Sequence, residues 1–186
     1  MKGYQIFNQI YSSVNSEVYR GIREADNKKV ILKILKEDYP TPQELTRYKQ
    51  EYEITRSLNC EGVIKVYALE TYGRSLAIVL EDFGGRSLKN WMKDENQGRL
   101  SLEKFLKIAI KITESLGNIH GANIIHKDIN PANIAFNPET NQLKLIDFGI
   151  STKLTRENPT LKNPNILEGT LSYISPEQTG RSEERR

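Results

Sequence analysis

The feature that most constrains this sequence is a set of polar residues at fixed spacing in its second half. His126-x-Asp128 is followed by Asn133, and the triplet Asp147–Gly149 (Asp-Phe-Gly) begins nineteen residues after Asp128. An aspartate in a loop can accept a proton from a hydroxyl group. An asparagine and a second aspartate at the two ends of a hairpin can offer oxygens to one hard cation, and Mg²⁺ prefers a few protein oxygens together with phosphate oxygens. The spacing therefore indicates acid–base chemistry beside a metal-bound phosphate.

Two short apolar runs predict the hairpin that this interpretation requires. Ile134–Phe136 and Leu143–Ile146 flank a turn at residues 138–141. Taken alone, Asp-Phe-Gly is commonly just a turn, and a single His-x-Asp has no chemical meaning. The two motifs at this spacing, each beside a strand, favour a functional site over a structural one.

Lys33 is the second candidate, because it lies in the middle of the strand-like run Val30–Leu35. A lysine inside a buried strand needs a partner, since an unpaired buried charge is costly. Glu51 lies in a predicted helix that begins at the Thr41 capping box and continues to about Leu58, on the face that should meet the sheet. The pattern favours a Lys33–Glu51 pair; the alternative is an edge strand in which Lys33 points to water.

The chain changes character at about Phe83, where two glycines follow. Before this point, short β-branched runs predict strands around the one helix; these runs are Val30–Leu35, Ile64–Leu69 and Leu76–Glu81. After it the pattern predicts a short helix over Ser87–Lys93 and a longer one capped by Ser101. The longer helix has an apolar stripe of Leu102, Phe105, Ala109, Ile112, Leu116 and Ile119. Residues 151–164 are polar and aperiodic, which predicts an exposed loop.

This order of elements predicts an α+β, two-lobe architecture. Residues 1–83 are expected to form a small antiparallel sheet with one helix, residues 84–180 a mostly helical second lobe, and residues 181–186 a charged tail. The crevice between two such lobes is the default place for a ligand.

Composition excludes several other classes of protein. The net charge of +3 is small and spread along the chain, which argues against nucleic-acid binding. The single cysteine, Cys60, rules out an internal disulfide framework and a multi-cysteine zinc site. No apolar run approaches the ~18 residues of a membrane span, and the N-terminus lacks the apolar core of a signal peptide. We therefore expect a cytoplasmic protein.

A third motif gives the pattern a family. Gly169–Glu177 (GTLSYISPE) resembles the end of a protein-kinase activation segment, where Ala-Pro-Glu is usual. With the motifs above, the chain resembles a eukaryotic-like serine/threonine protein kinase domain from about Tyr4 to Gly180. More narrowly, it is similar to the N-terminal kinase domain of large bacterial proteins that also contain an ATPase module, a GAF domain and a sensor histidine kinase. The strings that carry this likeness are GYQI, VILKILKEDYPTPQELTRYKQEYEITRSL, GVIKVYALE, LEDFGG, IHKDINPANI and LEGTLSYISPEQTGR.

The resemblance implies transfer of the ATP γ-phosphoryl group to Ser or Thr hydroxyls of a protein substrate, in bacterial signal transduction of the two-component type. It implies that Asp128 is the catalytic base, braced by Thr170, and that Lys33, held by Glu51, contacts the ATP phosphates. The implied Mg²⁺ ligands are Asn133 and Asp147. The implied nucleotide contacts are Ile10, Val18, Ile31, Lys33, Leu80 as gatekeeper, the backbone of Glu81 and Phe83, and Ala135. Thr155 and Thr160 are candidate phosphorylation sites, or else ordinary loop residues.

The chain also departs from the family pattern. Tyr11, Ser13 and Ser16 stand where the phosphate-binding loop usually has glycines, so we expect a stiffer loop and a weaker grip on phosphate. Asn130 replaces the usual lysine beside the γ-phosphate, which removes a positive charge. Lys127 replaces the arginine of His-Arg-Asp and cannot bind a loop phosphate bidentately. Ile31 stands where an alanine is usual in the adenine slot, and Ala135 stands where a leucine is usual. We expect the two exchanges to compensate and to keep the thickness of the slot.

Two alternatives to an active protein kinase remain open. The chain ends nine residues after Glu177, so the later helices of the second lobe are expected to be missing and the helix from Ser101 to Ile119 to expose apolar surface. With the lost glycines and Asn130, this permits a truncated, non-catalytic binding or regulatory module. The other alternative is a small-molecule phosphotransferase, which generally lacks the activation-segment motif.

Overall fold

The computed structural model describes residues 1–36, 39–95, 99–154 and 168–179, apart from the side chains of Glu177 and Thr179. It divides the chain into two units: the first comprises Met1–Asn59 and Ile64–Gly84, and the second comprises Cys60–Val63 and the residues from Gly85 onward. Thr155, Thr160 and the predicted tail 181–186 lie outside the described residues. In the described part of the chain, no helix is long and apolar enough to cross a membrane.

The first unit is built on a five-stranded antiparallel sheet with the order β1-β2-β3-β5-β4. Its strands are β1 (Tyr4–Ser12), β2 (Ser16–Arg23), β3 (Lys28–Leu35), β4 (Val66–Tyr72) and β5 (Ser75–Glu81). The three strands predicted from apolar runs are all present. The separate strands β1 and β2 were not predicted, because β1 mixes apolar and polar residues without regular alternation, and its pairing with β2 has two register shifts.

Strand β3 has opposite environments on its two faces, as its alternating side chains require. Val30, Leu32 and Ile34 are buried on one face, in a cluster with two residues of β5. On the other face lie Ile31, Lys33 and Leu35, and Leu35 packs with two tyrosines of helix α1 (Pro42–Ser57). Because β3 lies between β2 and β5, the alternative of an edge strand for Lys33 is wrong.

Helix α1 begins and ends as its sequence predicts. Thr41 and Glu44 form a reciprocal capping box, and Pro42 occupies the first turn, where its missing N–H costs nothing. Leu58 follows the last helical residue and donates its N–H to the carbonyl of Thr55. The buried face of the helix contains Tyr48, Glu51, Tyr52, Ile54 and Thr55. The carboxylate of Glu51 is thus directed toward the sheet.

The second unit combines helices with two small sheets. Its helices are α2 (Leu88–Asp94) and α3 (Leu102–Gly121), each capped by the preceding serine, together with short 3₁₀ helices at Leu171–Tyr173 and Pro176–Thr179. Its strands are β6 (Arg86–Ser87), β7 (Ile124–Ile125), β8 (Ile134–Asn137), β9 (Gln142–Leu145) and β10 (Thr152–Lys153). They pair in the orders β6-β8-β9 and β10-β7. The predicted β8–β9 hairpin is present.

The predicted loop over residues 151–164 requires a correction at its start. Thr152 and Lys153 form β10, which pairs antiparallel with Ile125 and Ile124 of β7. Two-residue strands have no periodicity that a sequence pattern could detect. Residues 155–164 of that predicted loop lie outside the described residues.

The apolar stripe predicted for α3 is only partly buried. Ile119 is fully buried, whereas Leu102 and Phe105 are 72% and 53% exposed. Ile110, outside the predicted stripe, is also exposed, and Ile108 is buried. The expectation that this helix exposes apolar surface agrees with the structure, and the exposure is concentrated in its N-terminal half.

Candidate active site

In the first unit, Lys33 and Glu51 form a buried ion pair. The Lys33 Nζ atom lies 2.6 Å from Glu51 Oε1, and the two side chains are 12% and 9% exposed. Tyr48, one helical turn before Glu51, donates its hydroxyl hydrogen to the carbonyl oxygen of Lys33 at 2.6 Å. Strand β3 and helix α1 are therefore fixed to each other at the position where the lysine is presented.

Three of the predicted nucleotide contacts share the face of the sheet that carries Lys33. Val18 of β2 is the cross-strand partner of Lys33, and Ile31 of β3 is the partner of Leu80 of β5. Cross-strand partners point to the same face, and all three apolar side chains are half-buried there. Ile10 lies in β1 and is 42% exposed. The chain thus places an apolar, partly open surface around the lysine.

The two backbone positions predicted to contact adenine come at the end of β5. The N–H of Glu81 donates to the carbonyl of Lys65 at 3.0 Å, and its carboxylate accepts the N–H of Lys65 at 2.7 Å. These contacts tie the end of β5 to the chain that enters β4. Phe83 follows two residues later and is half-buried.

The turn between β1 and β2, where the family has its glycines, is closed by two serines. The N–H of Ser13 donates to the carbonyl of Ser16 at 2.8 Å, and the N–H of Ser16 donates to the hydroxyl of Ser13 at 3.0 Å. The two hydroxyl groups also contact each other at 3.1 Å. Two backbone N–H groups of this turn are therefore used within the turn itself.

In the second unit, the carboxylate of Asp128 accepts hydrogen bonds on both of its oxygens. Oδ1 accepts the N–H and the hydroxyl of Thr170 at 2.8 and 2.7 Å, and the side-chain amide of Asn130 at 3.0 Å. Oδ2 accepts the side-chain amide of Asn133 at 2.7 Å. Because these donors come from two separate stretches of chain, they fix the orientation of the carboxylate, and the predicted contact between Thr170 and Asp128 is present.

Asn130 connects the other members of this cluster. Its side-chain amide nitrogen also lies 3.1 Å from the Thr170 hydroxyl oxygen, and its amide oxygen accepts the N–H of Ala132 at 2.8 Å. Asn130 is 5% exposed, so its amide nitrogen and oxygen both form hydrogen bonds away from solvent. The sequence identified Asn130 only as a lost positive charge. The sequence signal that could have suggested this role is its position, two residues after the predicted base.

His126 connects the loop that contains Asp128 to the residues that follow β9. Its Nε2 lies 3.1 Å from the carbonyl oxygen of Ile146, its Nδ1 accepts the N–H of Asp128 at 3.4 Å, and its ring packs on Phe148 at 4.7 Å. Burial lowers the pKa of His126 below its ordinary value, outweighing hydrogen bonding and the nearby carboxylates. A neutral ring with its proton on Nε2 satisfies both hydrogen bonds.

Asn133 and Asp147 lie at the same end of the β8–β9 hairpin. The N–H of Ile146 donates to the carbonyl of Asn133 at 3.0 Å, which brings the two predicted ligands next to each other along the ladder. Asp147 is exposed and adopts a left-handed conformation, with φ of 62°, while its Oδ1 accepts the N–H of Gly149. Ala135, the last predicted nucleotide contact, is 7% exposed in β8.

These two residues fit a Mg²⁺ ion that phosphate oxygens help to coordinate. An amide oxygen and a carboxylate are hard ligands, and Mg²⁺ is commonly held by one or two carboxylates plus phosphates and water. Among the described residues, no group of three or more His, Cys, Asp or Glu side chains could hold a metal ion. An asparagine and a single aspartate leave coordination positions that phosphate oxygens and water would fill.

Comparison with known proteins agrees with this geometry. Residues 4–185 match the family model described as protein kinase domain. The chain is 31% identical over 176 residues to a probable serine/threonine-protein kinase of Clostridium perfringens, which covers 94% of the chain and 25% of that relative. It is 29% identical over 181 residues to the serine/threonine-protein kinase PknA of Mycobacterium tuberculosis, covering 94% and 41%. It is 31% identical over 176 residues to PrkC of Bacillus subtilis, covering 94% and 26%.

The chain thus spans between a quarter and about two fifths of the length of these three relatives. The family match confirms the predicted kinase-like α+β fold. Together with these relatives, it also confirms the predicted resemblance to a serine/threonine kinase domain. This chain belongs to the protein kinase domain family, and serine/threonine kinases of bacteria are among its relatives.

Proposed function

We propose that this domain transfers the γ-phosphoryl group of ATP to serine or threonine hydroxyls of a protein substrate. The observation that carries the proposal is the oriented carboxylate of Asp128, held on Oδ1 by Thr170 and on Oδ2 by Asn133. A general base must be held in place to receive the substrate proton, and a carboxylate with several donors has little freedom to turn away.

The remaining residues supply binding and charge. Lys33, oriented by Glu51, contacts the α- and β-phosphates, and Asn133 and Asp147 bind Mg²⁺, which neutralises charge on the phosphates when bound. The adenine ring packs on the apolar surface around Lys33, against Val18, Ile31 and Leu80. The backbone at Glu81 and Phe83 holds the adenine edge, and Ile10 and Ala135 are further nucleotide contacts that the resemblance implies. Asp128 accepts the proton of the attacking hydroxyl, and Thr170 keeps the carboxylate in place.

One observation favours a second candidate, a non-catalytic kinase-like module. The N–H groups of Ser13 and Ser16 are engaged within their own turn, so fewer donors are available to grip phosphates than in a glycine-rich loop. The Lys33–Glu51 pair and the Asp128 cluster weigh against this candidate, because a module that only binds a partner has no need for either. The catalytic proposal is therefore the stronger one.

The wider context is also proposed from the sequence likeness. We propose that the domain belongs to a longer cytoplasmic signalling protein of the two-component type, linked to an ATPase module, a GAF domain and a sensor histidine kinase. The string LEGTLSYISPEQTGR supports this context, since it carries the narrower likeness.

Thermal unfolding with and without Mg²⁺-ATP tests nucleotide binding first. Mg²⁺-ATP is expected to raise the melting temperature of the unmodified chain, because a ligand that binds only the folded state stabilises it. The rise should be lost in Asp147→Asn and kept in Asp94→Asn, a matched exposed aspartate of α2 that pairs with Arg86. Equal shifts in all three proteins would contradict the assignment of Asp147.

Transfer of ³²P from ATP tests the reaction itself. We expect incorporation into peptides that contain Ser or Thr, none into a Tyr-only peptide or an aminoglycoside, and loss of incorporation in Asp128→Asn. Binding of Mg²⁺-ATP without any transfer would favour the non-catalytic module. Transfer to the aminoglycoside alone would favour a small-molecule phosphotransferase.

A further inference from the structure

Lys127, the residue directly before Asp128, has a strained backbone. Its φ is 68°, in the left-handed region that side chains other than glycine rarely adopt. Such a conformation persists only where the surrounding structure holds it in place. Because the direction of the chain at Lys127 determines where the Asp128 side chain points, whatever holds Lys127 also orients Asp128.

Three contacts from one segment, residues 168–178, hold Lys127. The Lys127 Nζ atom pairs with Glu168 Oε2 at 3.1 Å, and the Lys127 side chain is only 8% exposed. The side-chain amide of Gln178 donates to the carbonyl of Lys127 at 2.8 Å and to the carbonyl of Glu168 at 3.3 Å. Gly169 packs so closely that a Cβ atom there would lie 3.0 Å from the Lys127 carbonyl oxygen.

The same segment presents Thr170 to Asp128. Gly169, with φ of 117°, links Glu168 to Thr170, whose N–H and hydroxyl both reach Asp128 Oδ1. The ion pair at Lys127 and the hydrogen bonds at Asp128 are therefore two attachments of one segment to one loop. Releasing the first should loosen the second.

We propose that Glu168 and Gln178 are positioning residues for Asp128, acting through Lys127, and that the carboxylate of Glu168 is a built-in anion for Lys127 that makes a phosphate on the activation segment unnecessary. The inference rests on the proposed kinase function. Neither residue was identified from the sequence. The consequence is that the Asp128 cluster is assembled in the unphosphorylated chain.

The first test compares Glu168→Gln with Glu103→Gln in the full 186-residue chain. Glu103 is a matched glutamate in the same unit, paired with Lys107 on the surface of α3. We expect Glu168→Gln to lower kcat about tenfold, equivalent to ~1.4 kcal/mol, because Asp128 loses its orientation. KM for ATP should stay unchanged, because the assigned contacts to adenine and to the α- and β-phosphates lie outside this loop. Glu103→Gln should leave both constants unchanged. A change in KM without a change in kcat, or no change in either constant, would overturn the proposal.

A double-mutant cycle shows whether the effect passes through Lys127. Once Lys127 is replaced by Met, the additional change Glu168→Gln should have no further effect on kcat. Gln178→Met, which removes the amide donors at similar length, should lower kcat on its own. If the losses in kcat from Lys127→Met and Glu168→Gln add in the double variant, Glu168 does not act through Lys127.

Phosphorylation of the activation segment is tested directly. Phosphatase-treated protein and the double variant Thr155→Ala/Thr160→Ala should retain kcat within about twofold. Intact-mass measurement verifies that both proteins carry no phosphate. Loss of activity on phosphatase treatment would refute the role of Glu168 as the anion that Lys127 requires.

Hydrogen exchange separates this proposal from the proposed function. Amide exchange in residues 126–132 should be faster in Glu168→Gln than in the unmodified chain or in Glu103→Gln, whether or not the chain transfers phosphate. If the unmodified chain is inactive but this difference is present, the kinase function fails and the positioning network stands. If exchange is unchanged, the network fails regardless of activity.

Discussion

Replacing Lys33 by methionine should destabilise the chain far more than replacing both Lys33 and Glu51. The two side chains are 12% and 9% exposed and their charged atoms lie 2.6 Å apart. Removing one partner of a buried pair leaves the other charge uncompensated, at a cost of about 3–5 kcal/mol. Replacing both by apolar residues of similar size removes the desolvation penalty with the attraction. Lys33→Met/Glu51→Leu should therefore be as stable as the unmodified chain, or more stable by up to about 4 kcal/mol.

The assay is thermal unfolding followed by far-ultraviolet circular dichroism, which reports on the secondary structure of both units, whereas the only tryptophan, Trp91, belongs to the other unit. A loss of ~3 kcal/mol corresponds to a melting temperature lower by about 6–12 °C in a domain of this size. Lys107→Met, which breaks the exposed pair with Glu103, serves as the control and should not change the melting temperature measurably. If the double variant is as unstable as Lys33→Met, or if both single variants are as stable as the control, the reasoning from an uncompensated buried charge is refuted.

Three further predictions follow from the other contacts. Ser13→Gly should lower the Kd for Mg²⁺-ATP several-fold by freeing the N–H of Ser16 for phosphate, and an unchanged Kd in calorimetry would contradict this. Asn130→Asp should lower kcat by about tenfold or more, because it replaces a donor to Asp128 by a second carboxylate; Asn137→Asp, which keeps its acceptor role in a distant turn, is the control. Because burial lowers the pKa of His126, the unfolded chain binds a proton below pH ~6.5 that the folded chain excludes. The urea concentration at the midpoint of unfolding should therefore fall as the pH drops below that value, and His126→Phe should make the midpoint less dependent on pH.

The sequence predicted the regular part of the fold where periodicity or a cap was strong. Helix α1 has a capping box, and β3 and β5 are apolar runs that end at polar residues, so each left a clear signal. The pairings β6–β8 and β7–β10 are each only two residue pairs long and are specified by long-range packing alone. A local pattern cannot detect such strands, because a two-residue pairing shows no alternation.

In the candidate site, too, the sequence indicated the residues that local spacing specifies and missed those that depend on long-range contacts. Residue types at fixed spacing indicated Asp128, Asn133 and Asp147, and the spacing along α1 indicated that Glu51 reaches Lys33. Glu168 escaped prediction, because its importance depends on which loop its segment contacts, and that contact spans forty-one positions in sequence. Composition says nothing about such a pairing, whereas the strained backbone at Lys127 and the buried amine make it visible in three dimensions.

Asn130 shows how a substitution that looks like a simple loss divides into two effects. A lysine at this position offers both a charge for the phosphate and a hydrogen-bond donor for its neighbours; the asparagine retains only the donor, which it places between Asp128 and Thr170. Under the proposed function, orientation of the base is therefore preserved, while stabilisation of developing negative charge is reduced. The two effects are separable by Asn130→Lys, which restores the charge: kcat should rise if charge limits the reaction, and should fall if the buried amide geometry does, since a lysine cannot also accept the N–H of Ala132.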